Sequence, residues 1–464
     1  MGYVFHAKWL LFFLVYFLLL SAAPTWAESS LPASVAKELS AAGIPHGAVS
    51  IIVQPVEARG PTVEINGQQP MNPASTLKLV TTLSALEILG PAHVWTTEVW
   101  AVAPVEKGVL AGDLYFKGSG DPHLTVERFW LLLRELRARG VHEIRGDLVL
   151  DRTAIVSGKE YPAAFDGKSM RPYNVVPEAL LLNFKAIRLT LNPQADSVQV
   201  LSEPTPTTLT LINRLRLTRN GCGDWQEGLR AEATDQNGHT QLVLSGAFAA
   251  SCGEKVWHVA PMSGDRYFLG VFADLWRGMG GRFEGSVREE PVPLNARLLA
   301  VTTSPVLAQV VRDINKFSNN VMARQLYLSL GQDGAVRRWL ASRGLDFPEL
   351  VLENGAGLSR RERISAAHLA KVLSEAWHSP VMPELMSSLP IVAIDGTMKK
   401  RLKENGVAGR AHIKTGYLEG VRAIAGYVLD AKGRRQIVVC LINHPNARAA
   451  QPALDALLIW VYDS

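Results

Sequence analysis

Leu77, Val80, Leu83, Leu86 and Leu89 recur at the three-residue spacing of one helical face. The run opens just after Pro73, whose fixed φ suits a first helical turn, and stops at Gly90-Pro91. This pattern predicts a buried helix with Ser75 in its first turn and Lys78 three residues further on. Upstream, Val35 to Ala42 reads as a short helix, and His46 to Gln54 and Thr62 to Asn66 read as strands. From Trp95 to about Asn295 the character changes to short β-type runs separated by Gly, Pro and Asp turns. Gly112-Asp113-Leu114-Tyr115-Phe116 and Gly146-Asp147-Leu148-Val149-Leu150 are examples. Two helices interrupt them, Val126 to Arg139 and Tyr267 to Met279, the second ending at a Gly280-Gly281 pair suited to a C-cap.

Helical periodicity returns at Pro305, where Leu307, Val310, Val311 and Ile314 form one stripe, and a second helix begins near Asn320. Strands follow at His412–Leu418, Val421–Leu429 and Gln436–Asn443, the last two joined by the turn Asp430-Ala431-Lys432-Gly433. Leu454, Leu457, Leu458 and Val461 mark a closing helix. Helices and an antiparallel sheet at both ends, with β-rich material between, imply an α/β domain split by an insertion.

The first 27 residues stand apart. Lys8 supplies a positive start, Trp9 to Leu20 is an unbroken apolar run, and Thr25-Trp26-Ala27 places small residues at a cleavage site. This is the pattern of a secretory signal peptide cleaved near Ala27, and the apolar run is short for a membrane span. An uncleaved membrane anchor is the alternative. Composition then changes little: 47% hydrophobic and 20% charged residues describe a globular chain. Loss of the leader lowers the formal charge from +5 to +4, since Lys8 is its one lysine and it has no acid. So mild an excess, without a basic run, argues against a nucleic-acid partner. It is compatible with work near an anionic envelope polymer and with peripheral membrane association. Cys222 and Cys252 could pair in an exported chain, and Cys440, inside Ile437-Val438-Val439-Cys440-Leu441-Ile442, reads as an inert core thiol. No spacing resembles a zinc site, so neither a metal nor an organic cofactor is expected.

Candidate chemistry begins at Ser75. Residues at i and i+3 share a helical face, so Lys78 can reach its hydroxyl and, if its pKa is lowered, act as its base. Lys316-Phe317-Ser318-Asn319-Asn320 falls at a turn between two helices, where Ser318 and Asn320 either cap a helix or point into a cleft. Ile413-Lys414-Thr415-Gly416-Tyr417 lies in a strand and offers a cation, a hydroxyl and an uncluttered backbone edge. Each is weak alone. In this order, Ser-x-x-Lys, Ser-x-Asn and Lys-Thr-Gly form the signature set of serine β-lactamases and penicillin-binding proteins.

With 243 positions between Ser75 and Ser318, the chain resembles the D-alanyl-D-alanine carboxypeptidase/endopeptidases, the type-4 (class C, low-molecular-mass) penicillin-binding proteins. Further matches are Gly118-Ser119-Gly120-Asp121-Pro122, Ile144-Arg145-Gly146-Asp147-Leu148, Asn354-Gly355-Ala356-Gly357-Leu358-Ser359-Arg360, Ser388-Leu389-Pro390 and Asp395-Gly396-Thr397. The resemblance implies a β-lactamase/transpeptidase-like domain formed by 28–94 and 296–464. It further implies an inserted domain II at 95–184 and 259–295, and an inserted domain III at 185–258. It implies a periplasmic serine D,D-peptidase acting on peptidoglycan stem peptides and acylated by β-lactams. Ser75, Lys78, Ser318 and Asn320 would be catalytic, and Lys414, Thr415, Gly416 and Tyr417 would bind substrate. Tyr417 departs from the Thr or Ser usual in relatives, Arg324 from an acidic residue, and Lys185 from an asparagine. A β-lactamase and a catalytically silent cell-wall-binding protein are the alternatives.

Overall fold

A computed structural model of the 464-residue chain describes residues 30–58, 60–155 and 161–464. The leader expected at 1–27 lies outside the described residues. Strands from opposite ends of the chain share one antiparallel sheet. Its members are α1-flanked β1 (Val49–Pro55) and β2 (Val63–Ile65), then β3 (Ala411–Leu418), β4 (Val421–Leu429) and β5 (Arg435–Asn443), where α1 is Ala33–Ala41. The spatial order is β2-β1-β5-β4-β3, so β3 is an edge strand beside the predicted serine helix.

Strand alternation divides the apolar residues between two layers. Ile51, Ile413, Ile424, Val438 and Cys440 face α1 and the closing helix Gln451–Asp463, through Val35, Leu39, Leu454 and Leu458. Ile52, Ala423, Ala425, Val439 and Leu441 face the other way, against α2 (Lys78–Leu89), α3 (Leu307–Phe317), α4 (Asn320–Ser329) and α5 (Ala366–His378). Among the described residues no helix is long and apolar enough to cross a membrane.

Between these parts, residues 96–303 build further sheets. One has the order Val287–Glu289, Leu148–Asp151, Leu114–Gly118, Thr96–Ala101, Arg297–Thr303. Two three-stranded sheets fall within 187–259. A single apolar cluster runs from Val99 to Ala300 and takes in Leu189, Leu244 and Phe248, centred on rings such as Phe116 and Phe268 with centroids 5.1 Å apart. Cys222 and Cys252 are disulfide-bonded within this region, and Cys440 is a free, buried thiol in β5.

The serine helix differs from its sequence expectation. Ala74–Leu77 forms a 3-10 turn, and the α-helix starts only at Lys78. The cause is Ala74, held at φ 45°. Its N–H donates to Asn72 Oδ1 at 2.9 Å, while Asn72 Nδ2 donates to the Ser359 carbonyl at 2.8 Å. A left-handed residue cannot continue an α-helix, so Ser75 sits at a sharp corner instead of in a regular first turn.

Candidate active site

The corner bearing Ser75 is fixed from both sides. Asn443, at the end of β5, accepts from the Asn72 N–H at 2.8 Å and donates to its carbonyl at 3.0 Å. Gly416 of β3 and Gly357 press against the same segment. A Cβ at Gly416 would lie 2.7 Å from the Pro73 carbonyl oxygen, and one at Gly357 only 2.0 Å from that of Ala74. Gly357 also has φ 76°, a conformation that side chains resist. The glycine of Lys-Thr-Gly is therefore needed for close approach of two backbones.

Lys78 leads α2 and is fully buried. Its Nζ donates to Ser75 Oγ at 2.9 Å, to Asn320 Oδ1 at 2.6 Å and, more closely, to the Ala356 carbonyl. Three acceptors match the three hydrogens of an ammonium. In the neutral amine two hydrogens serve Asn320 and Ala356, which leaves the lone pair facing Ser75. Burial holds the Lys78 pKa well below its usual value, the charge of Lys414 lowers it further, and Glu362 pulls in the opposite direction.

Ser318 ends α3 in the left-handed region at φ 56°, ψ 38°, and the capping is done by its neighbour Asn319, which accepts from the Met322 N–H. Helix capping and cleft pointing are thus divided between adjacent residues: Asn319 caps, while Ser318 and Asn320 face the lysines. Lys414 Nζ, also fully buried, donates to Ser318 Oγ at 2.9 Å and to the Thr415 carbonyl at 2.8 Å. Burial pushes Lys414 down to about 7. The turn is anchored by buried Lys316, which donates to the Leu389 carbonyl and pairs with Asp395, each at 2.6 Å. Asn315 Nδ2 ties α3 to α2 through Thr82 Oγ1 at 3.2 Å.

The three motifs therefore converge: Lys78 bonds Ser75 and Asn320, Lys414 bonds Ser318 two positions before Asn320, and the charge of Lys414 acts on Lys78. Thr415 points to the other side of the edge strand, where its hydroxyl meets that of Thr397 at 2.8 Å. Tyr417 is exposed, with the Arg422 guanidinium 3.6 Å from its ring centre. Beyond the loop 353–361 lies a cleft of about 420 Å³ lined by Tyr161, Phe165, Leu358 and Arg360. Arg324 is buried in α4, where its Nη1 donates to the Val175 carbonyl at 3.2 Å.

Three contributors carry no role in the sequence reading: the Ala356 carbonyl, Thr397 and Glu362. The first two fall in stretches singled out by resemblance, Asn354–Arg360 and Asp395-Gly396-Thr397. Glu362 sits within Arg360-Arg361-Glu362-Arg363, which looks like a solvated charged run. It is instead fully buried. Nothing local announces that.

Comparison with known proteins finds relatives along nearly the whole chain. A family profile described as D-Ala-D-Ala carboxypeptidase 3 (S13) family matches residues 31–461. A D-alanyl-D-alanine carboxypeptidase of Actinomadura sp. (strain R39) is 28% identical over 449 residues, covering 89% of this chain and 81% of the relative. The solved structure of penicillin binding protein 4 (dacB) from Haemophilus influenzae aligns with TM-score 0.75 and 23% identity, over 93% of this chain and 99% of that one. The same protein complexed with a β-lactam aligns with TM-score 0.70 and 23% identity, over 92% and 100%.

Proposed function

The chain belongs to the D-Ala-D-Ala carboxypeptidase 3 (S13) family of serine-type hydrolases, and from that premise we propose an exported D,D-peptidase working through an acyl-enzyme on Ser75. The substrate is a peptidoglycan stem peptide ending in D-Ala-D-Ala, or a D,D-cross-link between two stems. The observation that carries the proposal is Lys78 Nζ, 2.9 Å from Ser75 Oγ in a buried setting that favours the neutral amine. A hydroxyl needs such a partner to become a nucleophile near neutral pH.

In the first step Ser75 Oγ attacks the carbonyl carbon of the D-alanyl bond, and its proton passes to Lys78 Nζ. The N–H groups of Ser75 and Tyr417 receive the developing oxyanion, a type of contact worth about 3–4 kcal/mol per donor in other hydrolases. Ser318, hydrogen-bonded to Lys414, relays a proton to the leaving amine. An extended substrate adds to the exposed edge of β3, where Lys414 meets its terminal carboxylate; the expected part of Thr415 is reduced to its hydroxyl bond with Thr397, because its side chain lies on the opposite side of the strand. Water then attacks the ester carbonyl and frees Ser75. A β-lactam presents the same amide with a leaving group that stays tethered, so it blocks Ser75 for longer. The relative's complex with a β-lactam supports this reading.

Export is part of the proposal. It is supported by the Cys222–Cys252 bond, which persists in oxidising compartments, and by the signal-like leader. So is a catalytic domain of 28–94 and 296–464 carrying two insertions: the apolar cluster of 99–300 supports inserted material, although strand Arg297–Thr303 pairs with Thr96–Ala101 and goes with it.

A fluorescent penicillin is expected to label the wild-type chain and not Ser75→Ala; equal labelling of both sinks the assignment. Digestion of muropeptides followed by mass spectrometry should show loss of one D-alanine or splitting of cross-linked dimers.

A further inference from the structure

Glu362 is a buried acid whose charge acts on buried Lys78, and the mechanism above gives it no step. Its Oε1 accepts from the N–H groups of Glu353 at 3.3 Å and Asn354 at 3.1 Å. Its Oε2 is buried without a hydrogen-bond partner. The loop that it holds is the one that serves Lys78: Asn354 Oδ1 accepts from the Ala356 N–H at 3.0 Å, and the Ala356 carbonyl takes a hydrogen from Lys78 Nζ. Thr81, one helical position beyond Val80 in α2, donates to the Gly355 carbonyl at 2.7 Å and locks the same loop onto the serine helix.

We propose that Glu362 is the positioning residue for Lys78, anchoring the loop that presents the Ala356 carbonyl and placing one buried negative charge near its amine. This rests on the assignment of Lys78 as the base of Ser75. Without a counter-charge, burial and Lys414 together would drive Lys78 so far toward neutrality that it became a poor proton acceptor. General-base catalysis works best with a pKa near the working pH. A carboxylate facing the amine restores part of its basicity.

Lys78 faces Glu362 from α2 and Tyr327 from α4, and Lys414 of β3 acts on Lys78 from the far side. Burial raises Glu362 itself to about 7, opposed by backbone N–H groups of the loop and by Lys78.

The test is the rate of acylation by benzylpenicillin from pH 5 to 9, in wild type and in Glu362→Gln, whose amide oxygen can still accept from the loop. Removing the negative charge lets Lys78 lose its proton more easily. The acid limb of the glutamine variant is therefore expected to move to lower pH, by about one unit, with its plateau preserved. Coincident acid limbs in two folded proteins overturn the proposal. Should Glu362→Gln fail to fold, Glu362→Asp draws the charge back by one methylene and is expected to move the limb less but in the same direction; coincidence again overturns it. Failure of the underlying assignment has a different signature. Lys78→Arg acylating at the wild-type rate at every pH overturns both.

Discussion

Lys78 and Lys414 are both buried amines bonded to a serine hydroxyl, yet catalysis asks opposite charges of them. Lys78 must be neutral to take a proton from Ser75, and this form is lost as pH falls through its lowered pKa. Lys414 must be cationic to meet a carboxylate, and this form is lost as pH rises through about 7 in the free enzyme. A bell-shaped dependence of kcat/KM follows, its alkaline limb belonging to Lys414. Replacing Lys414 by arginine, which does not titrate in this range, is expected to remove the alkaline limb and leave the acid one. The pH profile of acylation by a carboxylate-bearing β-lactam checks this; an unchanged alkaline limb in Lys414→Arg would assign it elsewhere. At this scale the sequence was informative about residue types in order, because Ser-x-x-Lys and Lys-Thr-Gly are local strings. It was silent on Glu362, because burial is decided by what packs on top, and the arginines around it point the reader to solvent.

Between elements, the serine corner depends on a contact from far along the chain. Gly357 has no room for a Cβ against the Ala74 carbonyl, and its φ of 76° is one that side chains resist. Gly357→Ala must therefore push the Ala74 segment, and Ser75 with it, or twist the loop that carries Ala356. Backbone strain of this kind costs about 1–3 kcal/mol. Displacing a nucleophile by roughly an ångström costs on the order of 100-fold in rate. We expect the variant to fold with a lowered melting temperature while acylation by benzylpenicillin falls about 100-fold; an acylation rate like that of the wild type would show that the corner holds itself. The same dependence explains what was legible in the elements. The strands Val421–Leu429 and Arg435–Asn443 and the helix Val126–Ala138 match their pattern to within a residue, since alternation and periodicity are local. The 3-10 turn at Ala74–Leu77 was not legible, because residues nearly three hundred positions later impose it.

Across the whole molecule, the site draws on the sheet-and-helix part, and the region of 96–303 meets it through polar stitches and an apolar contact of Val175, Leu181 and Ala260 with Val321 of α4. Arg324 reaches the Val175 carbonyl, Gln325 Nε2 donates to the Glu178 carbonyl at 2.6 Å, and His123 Nε2 lies 3.4 Å from Asp313 Oδ2 of α3. The Cys222–Cys252 bond closes a span of 30 residues in the strands beyond those stitches, packed on the separate cluster around Phe248. A loop of that length restricts the unfolded chain by about 3–4 kcal/mol in the entropic account of disulfides. The double variant Cys222→Ser, Cys252→Ser should therefore lose stability where the bond sits, read as a lower first transition in calorimetry. Its acylation by benzylpenicillin should keep the wild-type rate, because Ser75, Lys78, Ser318 and Lys414 are held by contacts that never pass through residues 222–252. A tenfold slower acylation in the folded double variant would mean instead that the strain of the inserted region is transmitted along α4 to Asn320, and the insertion would then have to be counted as part of the catalytic device.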